Sequence, residues 1–409
     1  MPVALVILAG VLNGIALATL VYWTVGLARL LATKLLLPTA RHGVGMAAGM
    51  PHWPAVSVII PAHNEEASIG PLVRSLLAQD YPNFSVVLCL DRCTDSTAEL
   101  IGTLARGDGR FHAIEIDHCP DGWAGKVNAV FTGVRSEWAR GADLLLFADA
   151  DTVFDPACVT ATVALLENRG LDLLSLLSTL TCRQWFEYLV QPAAGLELVR
   201  QYPMLRANRR RGRRRAFANG QFMLFRREAY DAIGGHEAVK DELLEDLALA
   251  RNMADAGRPA GLFLADGMLT CRMYESWQAF RNGWKRIYIE SAKCKVGRLR
   301  KAAAASALMG GVFPALTLVN LFFALEFLLP NEAGRSWGTA SAVLSGLGLL
   351  AWVLVVAATH RIGRVPLWAV PGFAIGAWLV GVIEWEAARD LRKGIATRWA
   401  GRDYIRRPR

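Results

Sequence analysis

The sequence lacks several motifs that define common classes of protein. Its seven cysteines form no CxxC pair and have no zinc-like spacing with the histidines. There is no GxGxxG fingerprint, and Val127 follows Gly125-Lys126 where a P-loop has serine or threonine. These absences argue against a zinc protein, a dinucleotide-binding fold and a P-loop protein. An odd number of scattered cysteines favours reduced, cytosolic thiols over the alternative of a disulfide framework.

Apolar residues, in contrast, are abundant and concentrated in blocks. The 409 residues are 53% hydrophobic, and the mean hydropathy of +0.28 is unusual for a soluble domain. Residues 3–28 carry no charged side chain and are long enough to cross a bilayer, which takes about 20 residues. A basic start and a clear cleavage site are missing, so we predict a retained membrane anchor rather than a signal peptide.

Three more apolar segments predict about three C-terminal membrane helices, at 303–325, 338–359 and 365–383. Arg29, Lys34 and Arg41 follow the first membrane segment, so the positive-inside rule places the next block in the cytosol. The chain is therefore expected to be an integral protein of the inner or plasma membrane with a cytosolic domain.

The number of membrane crossings stays open at this stage. Three crossings after a cytosolic domain would put the tail outside, although its arginines and lysines favour the cytosol. In an alternative interpretation, one of the three C-terminal segments is therefore re-entrant. Pro314 is expected to break the first C-terminal segment, and Pro366 and Pro371 crowd the start of the last.

The block between the membrane segments alternates between β-rich apolar runs and helical patterns. Strands are predicted at 56–60, 85–90 and 143–148, and helices at 66–79, 95–104, 156–168 and 241–256. This alternation predicts an α/β domain with a mixed, mostly parallel sheet. The predicted organisation is an anchor at 1–30, a linker at 31–55, the α/β domain at 56–294 with an interfacial segment at 185–215, membrane segments at 295–385 and a basic tail at 386–409.

Polar side chains follow two of the predicted strands. The segment Pro61–Glu66 reads PAHNEE, and Asn64 and Glu65 are placed to cap the next helix and to face a base or ribose. Asp91 ends the next strand, where a carboxylate can accept from a nucleobase N–H. A plain turn and ordinary helix caps are the alternatives.

Two pairs of acids stand out. Asp149 and Asp151 follow a fully apolar strand, and two carboxylates together with substrate phosphates suit Mg²⁺ or Mn²⁺. Glu245 and Asp246 lie among apolar residues in a helical pattern, where one acid facing a cleft could act as a general base. The alternatives are a solvated turn for the first pair and acids favoured by the helix dipole for the second.

Basic and aromatic residues suggest contacts with phosphates and lipids. Lys126 in PDGWAGK offers a charge for phosphate, and Arg281, Trp284 and Lys285 could close over a pyrophosphate or form a juxtamembrane belt. The run Arg209–Arg215 would suggest nucleic acid in a soluble protein. Beside a membrane it instead predicts contact with anionic headgroups, and the aromatic stretch at 185–205 predicts an interfacial helix; a solvated loop and core packing are the alternatives.

Taken in order, these motifs resemble those of membrane-bound family 2 glycosyltransferases with a GT-A fold. The order is PAHNEE, Asp91, Gly125-Lys126, ADAD, Asn219-Gly220-Gln221, GGHEAVKDELLED and a Gln/Arg/Trp segment. The tail TRWAGRDY is similar to one found in bacterial enzymes that glycosylate lipids, of the carotenoid, hopanoid-associated or ceramide type. The family's QxxRW motif is incomplete, because Asn282 stands at the tryptophan position and Trp284 comes two residues later.

The resemblance implies a role for each matched residue. Asp246 would be the general base with Glu245 supporting it, and Asp151 would bind the metal together with Asp149. The nucleotide-sugar would be held by Pro61, Ala62, Asn64, Glu65, Asp91, Lys126, Asp149, Gln278, Arg281 and Trp284.

The resulting hypothesis is metal-dependent, inverting transfer of a sugar. The donor is a nucleotide-sugar, with UDP-glucose as the type expected, and the acceptor is a hydroxyl of a lipid at the cytosolic face. A processive polysaccharide synthase, a polyprenyl-phosphate sugar synthase and a non-enzymatic scaffold are the alternatives. No nucleic acid partner is expected.

Overall fold

The computed structural model describes residues 3–209, 216–326, 332–399, 402–404 and 406–408. The α-helices are α1 Val3–Leu36, α2 His42–Ala47, α3 Ile69–Leu77, α4 Thr97–Leu104, α5 Gly125–Arg135, α6 Glu137–Arg140, α7 Cys158–Arg169, α8 Trp185–Leu189, α9 Gln191–Gln201, α10 Met204–Ala207, α11 Arg227–Ala232, α12 Glu245–Asp255, α13 Trp277–Ser291, α14 Val296–Ala305, α15 Phe313–Glu326, α16 Glu332–Ile362 and α17 Phe373–Lys393. No disulfide joins any of the seven cysteines, all of which lie in the described ranges.

The strands are β1 Val56–Ala62, β2 Phe84–Asp91, β3 Phe111–Ile116, β4 Leu144–Phe147, β5 Thr152–Phe154, β6 Leu173–Leu177, β7 Thr179–Leu180, β8 Met223–Arg226, β9 Ala260–Leu264, β10 Leu269–Cys271, β11 Thr397–Trp399 and β12 Arg402–Tyr404. The three predicted strands correspond to β1, β2 and β4. The four predicted helices correspond to α3, α4, α7 and α12, and their ends differ from the predicted ones by at most four residues.

The chain forms two compact units. An α/β unit comprises Leu37–Thr181 and Tyr202–Met273, and a helical unit comprises Met1–Leu36, Cys182–Gln201 and Tyr274–Arg409. These bounds differ from the predicted ones, because 37–55 packs with the α/β unit while 182–201 and 274–294 pack with the helices. Composition does not predict that α8, α9 and α13 pack with the apolar helices, because these three helices contain many polar residues.

The α/β unit is built on a seven-stranded sheet in the order β3-β2-β1-β4-β8-β6-β9. Every strand except β8 runs in the same direction, so the sheet is mixed and mostly parallel, as predicted. The centre of the sheet is buried on both faces, because Val58 and Ile60 face one core and Ile59 faces the other. Strands β2, β1 and β4 therefore end side by side at one edge, where ligands of open α/β sheets bind.

Within the described part of the helical unit, four helical segments are long and apolar enough to cross a membrane: Val3–Leu36, Val296–Leu325, Trp337–Ile362 and Leu367–Lys393. One is N-terminal and three are C-terminal, as predicted. Pro314 does not break the first C-terminal segment, contrary to the prediction. A π-helical stretch, Ser306–Val312, precedes this proline. Its wider turn makes room for the proline ring and needs no hydrogen bond from the N–H that proline lacks.

Candidate active site

The loop after β1 is braced by the loop after β2. Asn64 has a left-handed φ of 56°, a conformation that asparagine tolerates. Its side-chain oxygen accepts from the backbone N–H of Thr94 at 2.8 Å, and the N–H of Glu65 donates to the Thr97 hydroxyl at 2.8 Å. Asn64 therefore joins two loops rather than capping a helix, since α3 begins only at Ile69.

Asp91 ends β2 and is only 4% exposed. Its carboxylate accepts two hydrogen bonds from the guanidinium of Arg92, at 2.8 and 2.7 Å. Arg92 has a φ of 52°, a strained backbone conformation for a residue other than glycine or asparagine. A nucleobase at this edge would meet a carboxylate–guanidinium pair instead of the lone acceptor that the sequence suggested.

Gly125 lies against this pair at the start of α5. A Cβ atom there would lie 2.9 Å from the Arg92 guanidinium and 3.0 Å from the Asp91 carboxylate. Glycine at this position therefore lets the helix start close to the ends of the strands.

Lys126, the next residue, connects the two acidic pairs. Its ammonium lies 2.7 Å from Asp149 Oδ1 and 2.7 Å from Glu245 Oε1. Burial opposes the charge of Lys126, but the two carboxylates outweigh it and raise the pKa of the ammonium. Residues that are far apart along the chain, one just after β4 and one on α12, thus converge on one side chain.

The segment before α12 is anchored beneath this site. His236 is buried, its ring nitrogen Nδ1 is 2.8 Å from the Tyr230 hydroxyl, and its N–H donates to the same hydroxyl. Burial and the charge of Lys126 lower the pKa of His236 to about 3, so the ring is neutral. Farther along the segment, the carbonyl of Lys240 accepts from the N–H of Ala124 at 2.7 Å, which ties it to the loop that carries Lys126.

Asp246 is held by backbone donors. Its Oδ2 accepts from the N–H of Gly220 at 2.8 Å, and its Oδ1 accepts from the N–H of Leu247 at 2.6 Å. Burial and the neighbouring Glu245 raise the pKa of Asp246 to about 6, against the opposing effect of Lys126. A carboxylate has about four acceptor positions, so two backbone donors leave room for a proton from a substrate.

Asp151 has the chemistry of a cation ligand. Burial and the charge of Asp149 raise its pKa to about 7, and the Cys271 thiol donates a hydrogen bond that works in the other direction. One buried oxygen of Asp151, Oδ1, has no hydrogen-bond partner. A cation would satisfy this oxygen and relieve the repulsion between the two carboxylates.

No cluster of three or more histidine, cysteine or acidic side chains arranged for a metal occurs within the described ranges. Asp149 and Asp151 would therefore provide only part of a coordination shell. This fits Mg²⁺ or Mn²⁺, which bind through one or two carboxylates together with substrate phosphates and water. The residues present fit such a cation.

Three residues predicted to hold the donor lie on α13, in the helical unit. Gln278 donates to Asn282 at 3.1 Å, and the side chain of Trp284 is 3% exposed. Arg281 forms a bidentate ion pair with Glu386 of α17. The ion pair of Arg281 joins α13 to α17, and the predicted role of the three residues toward the donor stays a prediction.

Some predicted features fall elsewhere. The arginine run lies largely outside the described residues, which stop at Arg209 and resume at Ala216. The aromatic stretch predicted to be interfacial forms α8 and α9, with Trp185 half exposed and Phe186 buried. Two residues of the site were not predicted from the sequence. Arg92 adjoins Asp91, whereas the contact of Cys271 with Asp151 is long-range and leaves no local signal in the sequence.

Gly220 provides a first prediction. A Cβ atom there would lie 3.1 Å from Lys126 Nζ, 3.3 Å from Asp246 Oδ2 and 3.4 Å from Glu245 Oε1, so alanine should displace the reacting groups by tenths of an ångström. We expect Gly220→Ala to lower kcat by roughly 10-fold or more, with the free energy of unfolding within about 1 kcal/mol of wild type. Gly102→Ala on α4, where a Cβ meets open space, is the matched control. Wild-type kcat in Gly220→Ala would contradict the packing argument.

The mixed, mostly parallel sheet with paired acids at its edge fits the class that the motifs resemble, glycosyltransferases of the GT-A type. A sequence model described as "Glycosyltransferase like family 2" matches residues 54–292. The chain therefore belongs to glycosyltransferase family 2 and is an enzyme of that family.

Characterised relatives match part of the chain. The 4,4'-diaponeurosporenoate glycosyltransferase of Staphylococcus aureus strain MRSA252 is 27% identical over 240 residues, which is 57% of this chain and 60% of that protein. The enzyme of the same name from strain USA300 is 27% identical over 242 residues, with the same coverage. The match thus spans less than two thirds of these relatives.

Two solved structures are also similar. A mannosyltransferase from Pyrobaculum calidifontis, in complex with GDP-Man and Mn²⁺, has a TM-score of 0.47 and 18% identity, covering 93% of this chain and 98% of its own. Glucosyl-3-phosphoglycerate synthase from Mycobacterium tuberculosis has a TM-score of 0.40 and 17% identity, covering 63% of this chain and 84% of its own.

Proposed function

We propose that this membrane protein transfers a sugar from a nucleotide-sugar, of the UDP-glucose type, to a hydroxyl of a lipid acceptor, with inversion at the anomeric carbon. The observation that carries the proposal is the ammonium of Lys126 between Asp149 and Glu245. It places the acids after β4 beside the acids of α12, so a donor at the first pair and an acceptor at the second lie within reach of each other.

In the proposed reaction, Asp246 accepts the proton of the acceptor hydroxyl while that oxygen attacks the anomeric carbon. The bond from this carbon to the diphosphate breaks, and the nucleoside diphosphate leaves with the electron pair. Gly220 holds the orientation of the Asp246 carboxylate through its N–H, and Glu245 keeps the pKa of Asp246 raised. A single displacement of this kind inverts the configuration.

The diphosphate gains negative charge as it departs. Mg²⁺ or Mn²⁺ held by Asp151 and Asp149 would supply positive charge that offsets it. Lys126 carries a fixed charge beside the same carboxylates and is 30% exposed, so it can reach a phosphate oxygen as well.

The lipid nature of the acceptor rests on two features. The described residues include four segments long and apolar enough to cross a membrane. Similar relatives are named 4,4'-diaponeurosporenoate glycosyltransferases. The positive-inside rule supports a cytosolic catalytic unit in this proposal, because Arg29 and Lys34 lie in the last turns of α1.

Donor binding and product analysis test the proposal together. Purified protein is screened by thermal unfolding against UDP- and GDP-sugars, with and without Mn²⁺. One nucleotide class should stabilise the protein, by about 2.7 kcal/mol at 100 times its Kd, and Mn²⁺ should increase the effect. Labelled sugar should then appear in a lipid extract. The absence of any donor effect, or a long polysaccharide product, would contradict the proposal.

The pH dependence of kcat/KM gives a further prediction. Asp246 accepts a proton only when it is ionised, so kcat/KM should fall as the pH drops below about 6, the raised pKa of this carboxyl. Glu245→Gln removes a charge that raises this pKa, so the acidic limb should move to lower pH.

Glu237→Gln, an exposed change in the segment before α12, is the control and should leave the limb in place. A limb that stays fixed or moves to higher pH in Glu245→Gln would contradict the assignment of Asp246 as the titrating base.

A further inference from the structure

Contacts inside the helical unit fix the direction of each long helix. Trp23 Nε1 donates to the carbonyl of Met309 at 3.0 Å, and Asn320 donates to Asn13 at 3.0 Å. As residue numbers rise along α1 they fall along the segment of α14 and α15, so these two run antiparallel. The end of α1 at Leu36 and the start of α14 therefore share one end of the unit, here called the proximal end; the opposite end, where α1 begins, is the distal end.

Helix α16 runs parallel to α1. Asn13 donates to Ser341 at 3.0 Å, and a Cβ atom on Gly26 would lie 3.8 Å from Val355. Numbers rise together on both helices. Helix α16 therefore ends, at Ile362, at the proximal end.

Helix α17 also ends at the proximal end. Ser306 donates to Glu384 at 2.9 Å, and a Cβ atom on Gly310 would lie 2.5 Å from that of Ala377. This antiparallel packing against α14 and the π-helical stretch carries α17 toward the start of α14. Arg300 lies over the Trp385 ring at 5.6 Å, which agrees with this direction.

The start of α17 lies near the middle of the unit. The Phe373 ring is 6.2 Å from Trp23 and 6.4 Å from Trp352. At 1.5 Å per residue, α1 continues for about 30 Å from Trp23 to its distal start, whereas α17 has no residue in that direction. A helix that follows the proximal end of α16 and itself ends at the proximal end makes no net crossing.

The exposed face of α17 changes in character along its length. Ile375, Trp378, Val382 and Trp385 are 59%, 50%, 39% and 57% exposed and recur at helical spacing. The same stripe continues into Arg389 and Arg392, both exposed. An apolar start, tryptophans and then arginines match the passage from hydrocarbon through the interface to water.

The polar groups inside the unit also differ between its distal and proximal parts. Between α1, α15 and α16 the hydrogen bonds join neutral side chains: Asn13, Thr19, Thr317, Asn320, Ser341 and Ser345. Charged pairs such as Arg281–Glu386 and Lys285–Asp390 occur along α17, toward the proximal end. Charges are costly in hydrocarbon, so this end lies at the hydrated boundary of the membrane.

We infer that α17 does not cross the bilayer, although its length and composition would allow it. It lies in the proximal leaflet, and its stripe from Ile375 to Trp385 contacts the acyl chains and headgroups of that leaflet. The chain then crosses three times, and the C-terminal tail emerges on the same side as the end of α1 and the start of α14. This removes the conflict between the basic tail and the positive-inside rule, and it does not depend on the proposed sugar transfer.

The sequence adds a charge argument for which side this is. Residues 326–336, at the junction of α15 and α16 in the sequence, contain a single basic residue, Arg335. The proximal ends of the helices carry many: Arg29, Lys34, Lys293, Lys295, Arg298, Arg361, Arg364, Arg389, Arg392 and Lys393. The proximal side is thus the cytosolic side.

Labelling of single cysteines with a membrane-impermeant maleimide tests the inference in the full-length protein. Cys93 and Cys182, the cysteines that are not buried, are first changed to serine. Leu35→Cys marks the proximal side and Val3→Cys the distal side, and both positions are well exposed. Ile395→Cys, just past α17, should label together with Leu35→Cys in inverted vesicles, whereas Val3→Cys should label in intact cells.

Two results would overturn the inference. Labelling of Ile395→Cys from the side of Val3→Cys would show that α17 crosses. Labelling of Val3→Cys and Leu35→Cys from one side would show that α1 does not cross, so that the unit does not span the membrane in the direction argued.

A second pair of variants tests the lipid contact of the stripe. Ile375→Cys and Arg392→Cys are both exposed on α17. The leaflet should protect Ile375→Cys from the maleimide while Arg392→Cys reacts from the cytosolic side. Equal reactivity of the two in inverted vesicles would show that no lipid covers the stripe.

Discussion

Asp246→Asn should slow sugar transfer by about 10² to 10⁴-fold, the usual contribution of a general base, while donor binding persists. Asparagine keeps the size of the side chain, and its single oxygen can accept from one of the two backbone N–H groups, of Gly220 and Leu247, that the carboxylate binds. It cannot take a proton from the acceptor hydroxyl. Single-turnover rates with a lipid acceptor, together with donor-dependent thermal shifts, separate the two effects.

Asp255→Asn is the matched control, since it makes the same chemical change at an exposed position on the same helix. It should retain the wild-type rate. A near wild-type rate in Asp246→Asn would contradict the assignment of Asp246 as the base. It would favour a phosphate acceptor, such as a polyprenyl phosphate, from which no proton has to be removed.

Asp151→Asn should remove the dependence on Mn²⁺ and lower kcat/KM by about 10²-fold or more, because a bound cation contributes several kcal/mol of charge stabilisation. The buried Oδ1 of Asp151 has no hydrogen-bond partner, so a cation bound there would be lost with the charge of this carboxylate. The change also ends the repulsion with Asp149, so the protein without metal should unfold at the same or a higher temperature.

The measurement is a titration of activity and of thermal unfolding with Mn²⁺ at fixed donor concentration. Asp231→Asn, an exposed change on α11, should titrate like the wild type. A variant of Asp151 that still responds to Mn²⁺ with the wild-type midpoint would place the cation elsewhere.

Features that depend on neighbours in sequence could be predicted. The strands β1, β2 and β4 are continuous apolar runs because both faces of the sheet are covered, and their polar ends mark the edge where ligands bind. The general location of Asp91, Asp149 and Asp151 follows directly. The roles of these side chains, and of Glu245 and Asp246, stay predictions until variants are measured.

Features that depend on distant packing could not. Nothing local indicates that Lys126 lies between Asp149 and Glu245, or that Arg92 turns back on Asp91. Apolar length predicted four membrane segments, but length does not report that Phe373 begins beside Trp23 in the middle of the unit. The predicted donor contact of Arg281 likewise could not take into account its pairing with Glu386, which comes much later in the chain.

The way the two units share the chain affects how the protein is made. Helices α8 and α9 are translated in the middle of the α/β unit, yet they pack on residues that leave the ribosome much later. These include Phe280, whose ring lies 5.1 Å from that of Phe186, and Gly376, which touches the backbone of Leu189. All seven strands of the large sheet are synthesised before those residues appear. A truncation after Met273 would therefore leave α8 and α9 bare, and such a fragment should need detergent or a chaperone to stay in solution.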